Sequence, residues 1–294
     1  MKNTVGLMAL LLSSVAYGHG DMADSGQVFK EVPVTNDIVM LQGKGGNIGL
    51  LQGEDGVLLI DDDYKENIGA LEKALDKKSA KPRFIINTHW HGDHTGGNEH
   101  LGEYASIVAH DNVRSRMASD QEIKFFGMNV PASPKAALPL ITFEQSMTLH
   151  FNGQTLDVVH YPNGHTDGDS IVIIQPANVV HMGDHFFSGF FPFVDLESGG
   201  SVQGMTKNIE AVITKMNKDT KVIPGHGPLS TQKDVKTYHK MLVKTTAIVK
   251  RAMDKGKSLE DIKKKGLPSK WKSWGNGFIK EGVWITLVYT SLKG

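Results

Sequence analysis

The segment NTHWHGDHTGG, residues 87–97, places four side chains that can bind a metal within six positions. These side chains are His89, His91, Asp93 and His94. The segment directly follows the short apolar run FIIN (84–87), which predicts a strand. A strand that ends in such a loop delivers side chains to the edge of a sheet, where ligands bind. The pattern predicts half of a metal site, and the other ligands must come from elsewhere in the chain.

Three later segments repeat the arrangement of an apolar run, a glycine and a histidine or aspartate. They are YPNGHTDGD (161–169) with His165, VVHMGDHFF (179–187) with Asp184, and VIPGHGPLS (222–230) with His226. Glycine beside each of these residues lets the backbone approach a ligand closely. Imidazole and carboxylate are ligands that zinc accepts, and two groups of such residues suggest two adjacent metals. His181 and His185 flank Asp184 and are competing candidates for its position.

These motifs resemble those of one protein family. HWHGDH is similar to the H-x-H-x-D-H signature of the metallo-β-lactamase superfamily, and GHTDGD, MGDHFF and PGHG resemble its later motifs in the expected order. The early segment LLIDDD around Asp61 also fits, and the resemblance covers roughly residues 30–230. It implies an α/β (α+β) fold, namely an αββα four-layer sandwich of two mixed β-sheets flanked by helices. The order of elements agrees, because each half of the chain runs from strands to alternating helix and strand.

The resemblance also implies which residues hold the metals. One ion is expected on His89, His91 and His165, and the second on Asp93, His94 and His226, with Asp184 bridging or completing the second site. Asp61 is expected to support the metal loops by hydrogen bonding rather than to bind metal. Asp167 and Asp169 are expected to stabilise the local turn. We predict two zinc ions per chain, although iron and manganese also use histidine and aspartate ligands.

The absence of cysteine changes the functional prediction. Asp184 stands where some antibiotic-degrading members of the superfamily carry a cysteine, and this chain has none. An aspartate there resembles the ligand set of glyoxalase II-like thioesterases and lactonases. We therefore expect a small-molecule hydrolase in which metal-bound hydroxide, oriented by Asp93 as the catalytic residue, attacks a β-lactam, lactone or other ester or amide. The alternatives are a glyoxalase II-like thioester hydrolase and a non-catalytic periplasmic zinc-binding protein.

The N-terminus predicts export. Residues 1–18 contain Lys2, an apolar run to about Val15 and then small residues, which is typical of a signal peptide. We expect a periplasmic or secreted protein with no stable membrane insertion after signal removal. Residues 28–294 are predicted to form a single domain, with helices from about residue 231 packed on it. Basic and acidic residues both number 32, and this balance argues against a nucleic-acid partner.

Two further segments are candidates for the substrate wall. In residues 119–140, which include Phe125 to Met128, the apolar residues follow neither a helical nor a strand period. A loop of that length often covers a site. The second is GFFPF (189–193), which follows the Asp184 motif. Both segments are also compatible with an ordinary role in the core. The choice between these roles depends on where the chain places them.

Overall fold

The computed structural model describes residues 28–76 and 81–294. The predicted signal peptide, residues 1–18, lies outside these residues. The strands are β1 (Lys30–Pro33), β2 (Ile38–Gln42), β3 (Ile48–Gly53), β4 (Gly56–Ile60), β5 (Pro82–Ile86), β6 (Ser106–His110), β7 (Gln121–Ile123), β8 (Met128–Val130), β9 (Ile141–Phe143), β10 (Ser146–Phe151), β11 (Gln154–His160), β12 (Ser170–Gln175), β13 (Val179–His181), β14 (Lys221–Ile223) and β15 (Ser230–Thr231). The α-helices are α1 (Ile68–Asp76), α2 (Gly92–Thr95), α3 (Asn98–Leu101), α4 (Asp111–Met117), α5 (Val202–Ile213), α6 (Gln232–Met253), α7 (Leu259–Lys265) and α8 (Glu281–Ser291).

Each half of the chain forms one mixed sheet. The first sheet has the order β1-β2-β3-β4-β5-β6-β9, antiparallel from β1 to β4 and parallel from β4 to β9. The second has the order β10-β11-β12-β13-β14-β15, in which only β13 and β14 are parallel neighbours. This division confirms the predicted sandwich with one sheet from each half.

Alternating side chains build the four layers. On β4, Leu58 and Ile60 pack between the two sheets, whereas Val57 and Leu59 belong to the cluster that includes α1. On β13, Val179 lies between the sheets and Val180 joins the cluster that includes α5, α6 and α8. Strands buried on both faces read as continuous apolar runs, which is how GVLLI and NVVHM appear in the sequence.

The C-terminal helices close the outer face of the second sheet. Thr231 caps α6 in a reciprocal arrangement with Asp234. Trp284 of α8 is fully buried, and its indole N–H donates to Thr245 of α6 at 3.0 Å. Helix α5 ends at Ile213, and the buried Met216 lies just beyond it. Among the described residues, no helix combines the length and apolar character needed to span a bilayer.

The segment 119–140 contains local structure of its own. Strands β7 and β8 form a two-stranded ribbon, which we call the cover ribbon (residues 121–130). Arg116 donates to the Gln121 side chain at 3.0 Å, and the Lys124 amide donates to the Glu197 carboxylate at 2.8 Å. These bonds hold the cover ribbon against α4 and against the segment between β13 and α5. Its residues line the cleft described below, which agrees with the prediction that this segment covers a site.

Candidate metal centre

The strands deliver the predicted ligands to one edge of the sandwich. Parallel strands β4 and β5 end just before Asp61 and the NTHWHGDH loop, and parallel strands β13 and β14 end just before Asp184 and His226. Because the carboxyl ends of parallel neighbours emerge at the same edge, the loops converge there. All seven predicted ligands come together at this edge.

Three buried histidines form what we call the inner set: His89, His91 and His165. Their ring nitrogens lie within 4.8 Å of one another, and His165 Nε2 is 2.9 Å from His91 Nδ1. Each ring is oriented through its other nitrogen: His89 Nδ1 by the Thr88 hydroxyl at 3.1 Å, His91 Nε2 by Asp195 Oδ2 at 3.0 Å, and His165 Nδ1 by the Phe193 carbonyl at 2.9 Å. Such bonds fix the ring and the tautomer of a metal-binding histidine.

The outer set consists of Asp93, His94 and His226 and is more open. Asp93 Oδ2 lies 3.3 Å from His226 Nε2 and 3.6 Å from His94 Nε2. The side chains of Asp93 and His226 are 19% and 26% exposed, whereas His94 is fully buried. The opening to solvent in this region of the centre is therefore at Asp93 and His226.

Asp61 positions His94 from behind. Its Oδ2 lies 2.8 Å from His94 Nδ1, and its two oxygens accept hydrogen bonds from the Thr88 amide at 2.7 Å and hydroxyl at 2.8 Å. Asp61 adopts a left-handed backbone conformation (φ 64°), which is unusual for a residue other than glycine. These contacts fit the supporting role predicted for Asp61.

Asp184 lies between the two sets. Its Oδ1 is 3.1 Å from His94 Nε2 and 3.4 Å from His226 Nε2. Its Oδ2 is 3.5 Å from His165 Nε2 and 3.9 Å from His89 Nε2. One oxygen therefore faces the outer set and the other faces the inner set, which is the arrangement needed for a bridging carboxylate.

Unpaired buried atoms test whether these residues fit a metal. His89 Nε2, His94 Nε2 and Asp184 Oδ1 are buried and have no hydrogen-bond partner among the described residues. Native proteins rarely leave buried polar atoms unpaired, because the loss of water is then uncompensated. Cations in the centre would satisfy all three atoms, and imidazole and carboxylate are suitable donors for them. The residues therefore fit the implied metals.

The two sets differ in their protonation. Burial lowers the pKa of His165 to about 4 and that of His89 well below its ordinary value. Burial acts in the same direction on His226, but the carboxylates of Asp184 and Asp93 outweigh it and raise the pKa of His226 to about 10. The pKa of His94 is raised by the same carboxylates against the effect of burial. The neutral form is thus favoured at His89 and His165, and the protonated form at His94 and His226.

Two glycines make room for the ligands. A Cβ at Gly225 would collide with Asp184 Oδ1, and a Cβ at Gly46 would collide with the imidazole of His94. The predicted close approach of glycine backbone to the site is therefore confirmed at Gly225. Gly46 lies in the GKGG loop, which the sequence motifs do not identify.

The remaining histidines and aspartates have other partners. His181 Nε2 lies 3.1 Å from the Asn47 carbonyl, and His185 Nε2 lies 3.1 Å from the Asn208 side chain, so neither replaces Asp184. Asp169 accepts bonds from the His165 and Thr166 amides and holds their turn, as predicted. The other turn aspartate, Asp167, forms a bidentate ion pair with the Arg116 guanidinium. His100, His110, His150, His160 and His239 belong to neither set.

A cleft of about 1830 Å³ opens onto the centre. Six phenylalanines line it, and we call four of them, Phe126, Phe190, Phe193 and Phe278, the phenylalanine wall. Phe191 lines the cleft too but stacks on Trp284 in the core, with ring centroids 5.6 Å apart. The two predicted wall segments therefore contribute to both cleft and core.

The sequence analysis missed several residues of this region. Asp195, which orients His91, lies in no recognisable motif, and Phe278 lies about 50 residues beyond the last metal motif. Lys44 and Tyr64 also line the cleft. The Lys44 loop lies on the side of the outer set, because its Gly46 amide donates to the Asp93 carbonyl at 2.9 Å. Only the glycines around Lys44 were a signal for that loop.

Comparison with known proteins agrees with this centre. The model of the metallo-beta-lactamase superfamily matches residues 41–227, which include every predicted ligand. The chain belongs to this superfamily. A probable metallo-hydrolase of Methanocaldococcus jannaschii is 28% identical over 202 residues, which cover 65% of this chain and 93% of that protein. A probable metallo-hydrolase of Bacillus subtilis is 27% identical over 163 residues, which cover 54% of this chain and 74% of that protein.

Solved structures of the superfamily support the fold. A metallo-beta-lactamase from Pontibacter korlensis superposes with a TM-score of 0.59 at 16% identity, over 73% of this chain and 98% of that one. The sec-alkylsulfatase Pisa1 from Pseudomonas sp. superposes with a TM-score of 0.65 at 16% identity, over 89% of this chain and 50% of that one. The predicted family and fold are confirmed, and the chain is a metal-dependent hydrolase with a histidine and aspartate metal-binding cluster.

Proposed function

We propose that the protein is an exported dinuclear zinc hydrolase that attacks the carbonyl of a lactam, lactone, or other ester or amide. The observation that carries the proposal is the position of Asp184, whose two oxygens face two separate sets of ligand atoms. Two ion positions joined by one carboxylate suit a dinuclear centre better than a single closed site. His89, His91 and His165 would hold one ion, and Asp93, His94 and His226 the other.

Zinc is favoured by the donor set. The chain contains no cysteine, so the donors are imidazole and carboxylate groups, which zinc accepts in open catalytic sites. Iron and manganese accept the same donors, and metal analysis must decide among them. Divalent cations held side by side lower the pKa of a nearby water and polarise a carbonyl oxygen.

Asp93 is the residue proposed to move the proton. Its carboxylate reaches the cleft, and its pKa is lowered because His94 and His226 outweigh the opposing effect of burial. In hydrolysis, the water oxygen bonds to the acyl carbon and the bond to the leaving heteroatom breaks. The Asp93 carboxylate accepts the proton of the attacking water and returns it to the leaving group.

The test combines metal analysis with a substrate panel. We expect the purified protein to contain two zinc ions per chain and to hydrolyse one class among a chromogenic cephalosporin, aryl esters, homoserine lactones, a glutathione thioester and a secondary alkyl sulfate. Turnover of the thioester alone would favour the glyoxalase II-like alternative, and turnover of the sulfate alone would rule out carbonyl specificity. Bound zinc without turnover of any class would favour the non-catalytic zinc-binding protein.

A variant and its control separate binding from catalysis. Asp93→Asn keeps an oxygen ligand but removes the proton acceptor, so turnover should fall by about 10²–10⁴-fold while metal is retained. Asp219→Asn, an exposed carboxylate remote from the cleft, should leave turnover unchanged. Equal turnover in Asp93→Asn and the unaltered protein would exclude this role for Asp93.

Export is proposed from the sequence alone. In a Gram-negative host, N-terminal sequencing of the protein from the periplasmic fraction should find cleavage near residue 18. Full-length protein confined to the cytoplasmic fraction would exclude export.

A further inference from the structure

The phenylalanine wall is assembled from three distant parts of the chain. Phe126 comes from the cover ribbon, Phe190 and Phe193 from the loop after β13, and Phe278 from the segment before α8. The Phe126 ring contacts two of the others: the centroids of Phe126 and Phe193 are 4.7 Å apart, and those of Phe126 and Phe278 are 5.3 Å apart. Segments this far apart in sequence converge here on a single apolar surface.

The phenylalanine wall begins at the inner set. The Phe193 ring centroid lies 5.7 Å from that of His165 and 6.1 Å from that of His91. From Phe193 the rings lead through Phe126 to Phe278, which is 76% exposed at the mouth of the cleft. A continuous apolar track therefore runs from the metal centre to the solvent.

The outer end of this track consists of large apolar side chains that are exposed to solvent. Phe278 is 76% exposed and Met128 of the cover ribbon is 50% exposed, and both line the same cleft. Large apolar side chains clustered at the mouth of a cleft mark a surface that becomes covered in function. The cleft leads directly to the metal centre, so a substrate group is the occupant that fits this position.

The opposite side of the centre has a different character. The Asn47 amide donates to the Gly225 carbonyl at 2.7 Å, and the Gln42 side chain donates to the Gly227 carbonyl at 3.1 Å. These bonds hold the Lys44 loop beside His226 of the outer set. The polar loop thus lies by the outer set, where Phe187 also stacks on His226, and the phenylalanine wall lies by the inner set. A substrate with one apolar and one polar end can therefore bind with its apolar end on the wall and its polar end by the Lys44 loop.

We propose that the substrate carries a medium or long alkyl chain on its acyl side, and that this chain lies along the phenylalanine wall with its carbonyl at the metal centre. The inference rests on the proposed carbonyl hydrolase activity. The leaving group then lies toward Asp93 and the Lys44 loop, where the Asp93 carboxylate can return the proton to it. Short acyl groups would reach only Phe193 and would leave the outer part of the wall unused.

The test is a chain-length series of 4-nitrophenyl esters from acetate to decanoate, kept below their micelle-forming concentrations, with the zinc-loaded protein. We expect kcat/KM to rise with each added CH2 by up to about fourfold until the wall is filled. Phe278→Ala should lower the ratio of decanoate to acetate turnover by roughly four- to fifteenfold, the equivalent of one or two CH2 contacts. Leu140→Ala is the matched control, because Leu140 is also 76% exposed but lies outside the cleft lining.

A binding measurement keeps the proposal testable without turnover. Calorimetry should find that decanoate binds more tightly than butyrate, and that Phe278→Ala removes most of this difference while Leu140→Ala does not. Equal binding of the two acids would overturn the alkyl-chain proposal whatever the activity. Acetate turnover as fast as decanoate turnover would overturn it too while leaving the hydrolase proposal intact. Chain-length-dependent binding without hydrolysis of any ester would support the wall and contradict the proposed carbonyl hydrolase.

Discussion

The inner and outer sets of the metal centre differ in burial and in support. The three inner histidines are buried, and each is oriented by a separate hydrogen bond. In the outer set, only His94 is fully buried and held from behind, whereas Asp93 and His226 reach the cleft. A site that is rigid on one side and open on the other can hold metal while admitting substrate. The contrast suggests that the inner set mainly anchors and that the outer set takes part in the chemistry.

The largest expected effect comes from removing the residue that joins the two sets. Asp184→Asn keeps the shape of the side chain but removes the negative charge of the carboxylate that both sets face. We therefore expect the loss of about one metal ion per chain. Activity should fall by more than about 100-fold, the upper range for residues that only orient a ligand. Metal analysis and turnover of the best panel substrate measure both effects. A folded variant with two metals and less than tenfold loss would contradict the bridging role.

The next largest effect concerns the carboxylates that orient a histidine in each set, and their removal should weaken the two ions separately. Asp195→Asn removes the carboxylate that orients His91, and Asp61→Asn removes the one that orients His94. Each should weaken metal binding by about 10–100-fold. We expect Asp195→Asn to act on the tighter, inner ion and Asp61→Asn on the outer ion, as measured by chelator competition with stepwise metal loading. Identical effects of the two variants on both ions would mean that the sets are not independent.

The pH dependence of metal binding should also differ between the sets. Burial lowers the pKa of His165 to about 4, so the inner ion displaces no proton from it between pH 6 and 8. The pKa of His226 is raised to about 10, chiefly by Asp184 against the effect of burial, so the outer ion must displace its proton. Affinity at the outer position should therefore fall with decreasing pH, by about tenfold per unit for each proton displaced.

Chelator competition at pH 6, 7 and 8 measures these slopes. His226→Gln should reduce the slope of the outer position by about one proton, since the titrating ring is gone. Equal slopes at the two positions of the unaltered protein would contradict the protonation difference between the sets.

The smallest effect concerns the polar side of the cleft. Lys44 is exposed, lines the cleft and forms no ion pair within the described part of the chain. Lys44→Ala should reduce kcat/KM by up to about fivefold for esters with a negatively charged leaving group, and less at high salt. Lys257→Ala, an exposed lysine outside the cleft, is the control. An equal loss for neutral leaving groups would contradict a charge effect.

Much of the fold and centre was accessible from the sequence. Local periodicity predicted the strands around GVLLI and the capped helix α6, because both depend on neighbouring residues. The first ligand motif could also be recognised from neighbouring residues, because His89, His91, Asp93 and His94 share one loop. The end of α5 is not evident from the apolar pattern, because Met216 is apolar and buried but packs from a turn beyond the helix.

Other parts could not be predicted, because they depend on packing between remote segments. Asp195 meets His91 across 104 positions of sequence, and an isolated aspartate after FFPFV carries no signal of that contact. The phenylalanine wall likewise needs the cover ribbon and the segment before α8 to meet at one cleft.

The sequence by itself determined the family, the sandwich fold and the chemical identity of the candidate ligands, because these depend on short contiguous motifs that follow the strands. The tertiary structure alone decided that Asp184 faces both sets, that the outer set is more exposed than the inner set, and that an apolar wall starts at the inner set. Those features are distances and exposures between distant residues, which arise only when the two sheets and the C-terminal helices pack together.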